Sequence, residues 1–384
     1  MDKGQARQGL NRQPDSFLEE QAVYAYWFHG NHFAGNRKMW EISEKIGTPK
    51  QIYECGIEEL KVFLTEKQAG RLERSKHTWD LYKKWEELIE EDIRFLPFFH
   101  KEYPAYLNNI PDPPWGIYVK GKLPSSRTLS AAVIGARQCS EYGRHCAKKI
   151  GELLGENGIP VISGMARGID GIGQRAALEA GGESFAVLGC GVDVCYPKEN
   201  RGLYHMLEKQ GGILSEYPPK TQPAAVNFPP RNRIISGLSD LLIVVEAKEK
   251  SGTLITVDMA LEQGKEVFAL PGRVTDALSA GCNHLIRQGA GILTSPEDIL
   301  SVLGIEKRRS DLRKLWERNE EDTLINDPEE RRVYRALDSA PKNIEQIWLE
   351  CGTGQIDMRR LMEILLEFCV TGIAVQEGGC YYRL

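Results

Sequence analysis

Continuous apolar runs alternate with helix-like stretches through the middle of the chain. Seven runs indicate strands, at residues 131–135, 160–163, 185–189, 212–215, 241–246, 267–270 and 291–293. Apolar residues at helical spacing separate nearly all of them, for example at residues 143–156, 172–180, 254–263 and 283–288. Strands that are apolar throughout and alternate with helices form parallel sheets covered on both faces. The pattern therefore predicts an α/β fold with a doubly wound, mostly parallel sheet, whose ligands lie outside the carboxyl ends of the strands.

The region before this core has a different pattern. Residues 16–99 place aromatics and leucines at helical intervals, which predicts several short helices and no strand before Phe95. Residues 100–121 are rich in proline and aromatic residues, which predicts an irregular connector. Its aromatic side chains Tyr103, Trp115 and Tyr118 are expected to dock the connector on the α/β core.

The region after the core begins with a charged stretch and ends in a small unit. Residues 328–384 contain three helical stretches, at residues 329–337, 344–351 and 358–371, and a hairpin turn at Gly378–Gly379. Three helices followed by a hairpin are typical of a winged helix. The predicted organisation is a helical domain at 1–99, the α/β domain with its connector at 100–305, a charged linker at 306–327 and a winged-helix-like domain at 328–384.

Composition narrows the class of protein. A chain of 384 residues is long enough for two or three domains, and its net charge of -5 does not by itself favour nucleic acid. Any nucleic-acid binding must therefore use a local positive groove. Nine cysteines without a C-x-x-C pair argue against a disulfide framework or zinc ribbon, so Cys190 and Cys195 are expected to be core or surface thiols. The polar start of the chain and the lack of a long apolar run predict a cytoplasmic protein without membrane contact.

The segment FPPRNRIISG, residues 228–237, is the strongest candidate for ligand chemistry. Arg231, Asn232 and Arg233 lie between a rigid diproline and a predicted strand, at an edge of the sheet. Guanidinium forks, backbone donors and an amide together suit phosphate oxygens. Phe228 could stack on a base or cover the core.

The two arginines of this segment should have different roles. They are two residues apart, so in a helix they do not share a face. One is expected to reach the ligand, while the other ties the segment to a carboxylate such as Glu216 or Glu246.

Three turns that follow predicted strands add further candidates. Arg137 follows the first strand and either faces a ligand or lies on the surface. In the second turn, Gly164 permits close backbone approach, and Arg167 could contact a phosphate or pair with Asp170. In the third turn, Lys198 could neutralise a phosphate or be a solvated lysine.

Two smaller features belong to the same crevice. Tyr196, in the third turn, is a platform for a base or a packing ring. Lys250 and Ser251 open the segment KSGTLIT at a predicted helix start, where a serine cap is common for structural reasons alone.

The chain lacks the usual catalytic and cofactor signatures. Gly135 and Gly143 are too far apart for a dinucleotide fingerprint, and no carboxylate follows the second strand to bind a ribose, so a nicotinamide cofactor is not expected. No H-E-x-x-H, G-x-S-x-G or G-x-x-x-x-G-K-[ST] motif occurs. The sequence predicts no cofactor, no metal and no catalytic residue.

Several blocks resemble the DNA-processing protein A family (DprA, also called Smf). They are SGMARGIDGIGQRAALEAGG, AVLGCGVDVCYPKEN, SEYPP, FPPRNRIISGLSDLLIVVEAKEKSGTLIT and LPGRVTDALSAGCNHLIRQGA, preceded by the lead-in YPAYLNNIPDPPWGIYVKG. The resemblance implies an extended Rossmann fold that binds single-stranded DNA and loads the RecA recombinase onto it during natural transformation. It also implies a homodimer formed through the central domain and no established enzymatic activity.

The resemblance also assigns residues. Arg137, Lys198 and the stretch Arg231–Arg233 would line the DNA groove, which Gly164, Arg167, Phe228, Lys250 and Ser251 complete on the grounds given above. Leu285 and Ile286 fall where the family places its dimer and recombinase surface. Gln174 stands where many members carry a histidine, which removes a group that could act as an acid or base.

The flanking domains resemble those of the family less fully. The N-terminal region looks like a helix-hairpin-helix domain without the Gly-x-Gly hairpin that binds a DNA backbone. The predicted recognition helix of the C-terminal unit has Arg359 and Arg360 but also carboxylates, which favours a protein-contacting or packing role.

A second hypothesis is an enzyme. A nucleoside-monophosphate ribohydrolase on a related scaffold would use Glu246 and the SGT turn, because a carboxylate at a strand end lies beside phosphate-binding amides. The chain lacks the PGGxGT loop expected of such enzymes and has KSGT instead. The DNA mediator is therefore the favoured hypothesis.

Overall fold

The computed structural model of the chain describes residues 15–304, 327–338, 341–352 and 354–383. The chain divides into two units, Met1–Pro296 and Glu297–Leu384. Apart from Asp327, the predicted charged linker at 306–327 lies outside the described residues. In the described ranges no helix combines the length and apolar character needed to cross a bilayer.

Short helices occupy the start of the first unit. Threonine capping boxes begin two of them, Thr48 with Gln51 and Thr65 with Gln68, so each pair satisfies free backbone donors at a helix N-terminus. The helices are α1 (Asp15–Gly30), α2 (Asn36–Ile46), α3 (Pro49–Glu54), α4 (Ile57–Lys61), α5 (Glu66–Thr78) and α6 (Leu81–Glu90).

The connector that follows is more regular than predicted. Its aromatic residues Tyr103, Trp115 and Tyr118 are buried as expected. However, Gly116–Gly121 forms a strand, because the prolines end at residue 114 and the apolar run Ile117–Val119 is free to pair. A second unpredicted strand, Arg94–Pro97, pairs with it and begins one residue before Phe95.

A nine-stranded mixed sheet forms the centre of the unit. Its order is β1-β2-β6-β5-β4-β3-β7-β8-β9, with β1–β2 and β2–β6 antiparallel and the other pairs parallel. All seven strands predicted from continuous apolar runs are confirmed. The strands are β1 (Arg94–Pro97), β2 (Gly116–Gly121), β3 (Ala131–Ile134), β4 (Val161–Ser163), β5 (Ser184–Leu188), β6 (Gly212–Ser215), β7 (Leu241–Val244), β8 (Glu266–Ala269) and β9 (Gly291–Ile292).

Helices separate the parallel strands, as the pattern predicts. They are α7 (Glu141–Glu156), α8 (Ile169–Glu179), α9 (Arg201–Gln210), α10 (Phe228–Leu238), α11 (Gly252–Glu262) and α12 (Ala280–Arg287). From β3 the chain winds to one side through β6 and then returns to the other side with β7. This reversal beside β3 is a topological switch point, where doubly wound folds leave a crevice for ligands.

The second unit contains helices and a small antiparallel sheet. Its elements are α13 (Glu297–Val302), α14 (Pro328–Ala336), β10 (Lys342–Asn343), α15 (Ile344–Glu350), α16 (Met358–Val370), β11 (Ala374–Glu377) and β12 (Cys380–Arg383). The strand order is β10-β12-β11. Gly378 and Gly379 both have positive φ, the geometry a tight hairpin between β11 and β12 requires. The three predicted helices and the hairpin of this region are therefore confirmed.

Candidate nucleic-acid interface

A cavity of about 810 Å³ lies at the carboxyl ends of the central strands. Ile134, Gly164 and Leu188, at or just after the ends of β3, β4 and β5, form its floor, and the first turns of α10 and α11 form further walls. The cavity therefore occupies the crevice that the topology predicts.

The start of α10 places an aromatic ring in this cavity. Prolines at the first turn of α10 suit a helix start, because their missing N–H groups have no partner there in any helix. The Asn227 side chain donates to the Gly189 carbonyl at 3.2 Å and fixes the chain just before Phe228. A methyl group at Gly189 would lie 2.8 Å from the Phe228 ring, so glycine is needed for this approach.

The Phe228 side chain contacts one aromatic ring and lies near two arginine side chains. Its centroid is 5.7 Å from that of Tyr196, with the planes 26° apart. The guanidinium carbons of Arg137 and Arg231 lie 5.5 Å and 5.8 Å from the Phe228 centroid, within cation–π range. Tyr196 is exposed and Phe228 is half-buried, so this aromatic pair is accessible from the cavity.

Arg231 joins two strand ends at the floor of the cavity through hydrogen bonds. Its side chain is only 5% exposed and donates to the carbonyls of Val187 and Gly164, which joins the ends of two strands. Burial lowers its pKa to about 10, although the nearby Asp170 carboxylate opposes this shift. Arg231 therefore remains positively charged at neutral pH and contributes charge mainly from below the cavity surface.

Arg233 points away from the cavity. It pairs with Glu216 at 2.7 Å and with Asp112 at 3.3 Å and does not line the cavity. The prediction that one arginine of the segment binds Glu216 is confirmed. Because its guanidinium is paired with two carboxylates outside the cavity, Arg233 is not placed for the DNA contact that the sequence suggested.

The pairing suggested for Arg167 is wrong. Arg167 binds Glu199, and both side chains are exposed. Asp170 instead accepts a hydrogen bond from the Gly164 backbone at 3.2 Å and lies against Arg231. Asp170 is therefore a buried residue at the floor of the cavity, whereas Arg167 lies on the cavity wall.

Four exposed cations surround the cavity and are termed the rim cations: Arg137, Lys198, Lys248 and Lys250. Arg137 and Lys248 line the cavity, while Lys198 and Lys250 each adjoin a lining residue. Among the described residues none of the four forms an ion pair. Sequence reasoning missed Lys248, although its position just after a strand at the ligand edge was a sufficient signal.

Ser251 precedes α11 but does not cap it. Its side chain accepts no hydrogen bond from the helix N-terminus, and within the described part of the chain its buried Oγ has no partner. Because Ser251 and Asn232 both line the cavity, they offer uncharged polar groups to a ligand beside the rim cations.

Two positions considered for acid–base chemistry hold side chains with structural hydrogen bonds. Glu246 is buried and accepts hydrogen bonds from the backbone N–H and hydroxyl of Ser140, at the start of α7. It does not line the cavity, so the carboxylate that the enzyme hypothesis requires serves a helix end. Gln174 is buried, and its side chain bonds the Met165 backbone and Ser184 hydroxyl.

Of the two residues predicted to form the dimer and recombinase surface, Leu285 and Ile286, one is buried. Leu285 lies in the core of the first unit, since the apolar face of α12 packs on the sheet. Ile286 is half-buried beside this core. Only Ile286 of the two is therefore placed to contact another molecule.

Comparisons with known proteins cover most of this unit. A sequence model of the family described as DNA recombination-mediator protein A matches residues 94–304. The chain is 45% identical over 199 residues to DNA processing protein DprA of Streptococcus pneumoniae, covering 52% of this chain and 70% of that protein.

Two solved structures are also similar. The X-ray structure of DprA from Streptococcus pneumoniae superposes with a TM-score of 0.63 at 34% identity, covering 73% of this chain and 97% of the other. A structure concerning the single-stranded DNA binding mode of DprA from Helicobacter pylori gives a TM-score of 0.50 at 28% identity, covering 55% and 95%.

Proposed function

Because the chain belongs to the DNA recombination-mediator protein A family, with its role in DNA processing, we propose that it binds single-stranded DNA as a mediator of recombination. In this proposal it protects incoming single strands and loads the RecA recombinase onto them during natural transformation. The contacting residues we propose are Arg137, Gly164, Arg167, Lys198, Phe228, Arg231, Asn232, Lys248, Lys250 and Ser251.

The rim cations are the observation that carries this proposal. The chain as a whole is acidic, with a net charge of -5, yet these four cations surround one crevice without carboxylate partners among the described residues. A phosphate backbone is the polyanion that such a local concentration of positive charge suits. The remaining acidic surface limits DNA to this groove.

The aromatic pair favours single strands over duplex. Phe228 and Tyr196 offer accessible ring faces, and the bases of a single strand are free to stack on aromatic side chains. In a duplex the same base faces are occupied by their neighbours.

The rest of the proposal concerns partners and compartment. We propose a homodimer formed through the first unit, with Ile286 near its interface, and no catalytic reaction. The only carboxylate of the described residues that lines the cavity belongs to Asp170, which is buried against Arg231 and poorly placed as a general base. Nine free cysteines are compatible with a reducing cytoplasm, where we place this activity.

Fluorescence anisotropy with labelled single-stranded and duplex oligonucleotides over a salt series tests the proposal. We expect salt-sensitive preference for single strands, with Lys198→Ala and Lys248→Ala each lowering the slope of log affinity against log salt by about 0.7, the value for one lost single-strand contact. Lys209→Ala is the matched control. This exposed lysine lies just before β6, at the amino end of that strand and therefore away from the carboxyl ends that form the cavity.

Failure of both strand forms to bind would contradict the proposal. A protein that binds single strands but does not accelerate RecA assembly on DNA coated with a single-strand-binding protein would retain the binding role and lose the loading role.

A further inference from the structure

The outer face of α16 carries an exposed apolar stripe. Met362, Leu366 and Val370 recur every four residues, so they share one face of the helix. They are 55%, 66% and 82% exposed, whereas the opposite face of α16 supplies the core of the second unit. The stripe is therefore surplus to the packing of its own unit, and continuous apolar surface of this kind typically marks an interaction site.

Carboxylates flank this stripe. Glu363 and Glu367 are exposed beside it on the same helix. Burial, and next the negative charge of Glu367, raise the pKa of Glu330 on α14, which places a third carboxyl group close to the same side. An apolar stripe with an acidic border is complementary to a basic amphipathic partner.

The arginines of α16 pair with carboxylates of their own unit, and Glu363 of the acidic border is one of them. Arg359 pairs with Glu363 at 3.4 Å. Arg360 pairs with Asp327 at 2.8 Å and with Glu329 at 3.2 Å. Since both cations are neutralised within the unit, this helix presents no positive face to the phosphates of DNA.

A segment of matching chemistry occurs in the same chain. Residues 307–318, KRRSDLRKLWER, contain six basic and two acidic side chains. Their apolar residues Leu312, Leu315 and Trp316 have the three- and four-residue spacing of an amphipathic helix. We propose that residues 307–318 bind the α16 stripe, with their apolar side chains on Met362, Leu366 and Val370 and their cations on Glu363 and Glu367.

The connection between the two segments permits this contact. Residue 318 precedes Asp327 by nine residues, and Asp327 is held by Arg360 in the first turn of α16. Nine residues span up to about 30 Å when extended, and the 13 residues of α16 extend about 20 Å. The basic segment can therefore reach the whole stripe, at an effective concentration in about the millimolar range because it is tethered.

Site-specific photo-crosslinking in the full-length chain tests this proposal. The photoreactive residue p-benzoylphenylalanine replaces Leu366, and crosslinked peptides are identified by mass spectrometry after irradiation. We expect crosslinks to residues 307–318 of the same chain. The same replacement at Val62, an exposed apolar residue of the N-terminal helices, should give none to that segment.

A charge variant tests whether residues 307–318 bind the α16 stripe specifically or are crosslinked only because they are close to it in the chain. The double substitution Glu363→Gln, Glu367→Gln leaves the apolar stripe intact and should lower the yield of this crosslink about fivefold, the effect of losing two exposed ion pairs. Crosslinks that join Leu366 to other residues, crosslinks between copies carrying different isotopes, or no crosslink at all would overturn the proposal. Circular dichroism of each variant verifies that the fold is retained.

Discussion

Arg233 and Glu216 form a nearly buried ion pair, 2.7 Å apart, that joins the first turns of α10 to the end of β6. Removing one partner of such a pair leaves an uncompensated charge. We therefore expect Arg233→Ala to lower the free energy of unfolding by about 3–5 kcal/mol, measured by urea denaturation. Arg144→Ala, which breaks an exposed pair with Glu141 at 3.2 Å, is the control and should cost at most about 1 kcal/mol. Equal losses in the two variants would show that burial of the Arg233 pair has no special effect.

Phe228 offers a test of base stacking that is separate from charge. Phe228→Ala should weaken single-strand binding by about 1–3 kcal/mol, while Phe228→Trp, which keeps an aromatic face, should retain most of the affinity. The salt slope should be the same in both variants, because no cation is removed. Anisotropy titrations over a salt series measure both quantities, and an unchanged affinity in Phe228→Ala would exclude stacking on this ring.

The Glu246 carboxylate is predicted to stabilise the protein and not to catalyse a reaction. Glu246→Ala removes the acceptor for the Ser140 backbone N–H at the start of α7, so we expect a loss of about 1–2 kcal/mol in unfolding free energy. Incubation of the parent protein with nucleoside monophosphates should release no free base. Base release that disappears in Glu246→Ala would instead support the ribohydrolase hypothesis.

His29 predicts a pH dependence of stability. It is buried beside the Tyr118 hydroxyl, and burial, followed by the nearby His32, lowers its pKa to about 3. An unfolded histidine has a pKa near 6.5, so between about pH 6.5 and 3 the unfolded chain binds a proton that the folded chain excludes. Stability should therefore fall as the pH drops below about 6.5, by up to roughly 1.4 kcal/mol per pH unit for this residue.

Urea denaturation at several pH values between 7.5 and 5 measures this slope. His29→Gln should reduce the slope. Some slope should persist in His29→Gln, because burial also lowers the pKa of His32. An identical slope in His29→Gln and the parent would contradict the assignment.

The α/β core was predictable because its strands are apolar on both faces. A parallel strand between two helical layers needs no alternation, so residues 241–244 and their equivalents stand out in the sequence. The strands β1 and β2 were missed for a different reason. They are also buried on successive residues, but they pair antiparallel at one side of the sheet and no α-helix separates them, so the strand–helix alternation is absent there.

The site was predictable as a region but not in the orientation of its side chains. The sequence presents Arg231 and Arg233 as equivalents, and only the position of Glu216 beside α10 decides which one pairs with a carboxylate. Ser251 shows the same limit, since a serine before a helix is expected to cap it and here its buried hydroxyl has no partner among the described residues. Leu285 was assigned to a surface because a motif does not specify which face of a helix packs on the sheet.

The connector strand β2 and the residue just before it join the N-terminal helices to the sheet through specific hydrogen bonds. The Trp115 indole donates to Ser43 on α2 at 2.9 Å, and Tyr118 contacts His29 on α1 at 3.1 Å. The helices and one face of the sheet consequently share a single core. For inheritance this means that the two segments form one unit. A genetic crossover near residue 99 between divergent relatives would combine halves of two different cores, so we expect such hybrids to lose stability.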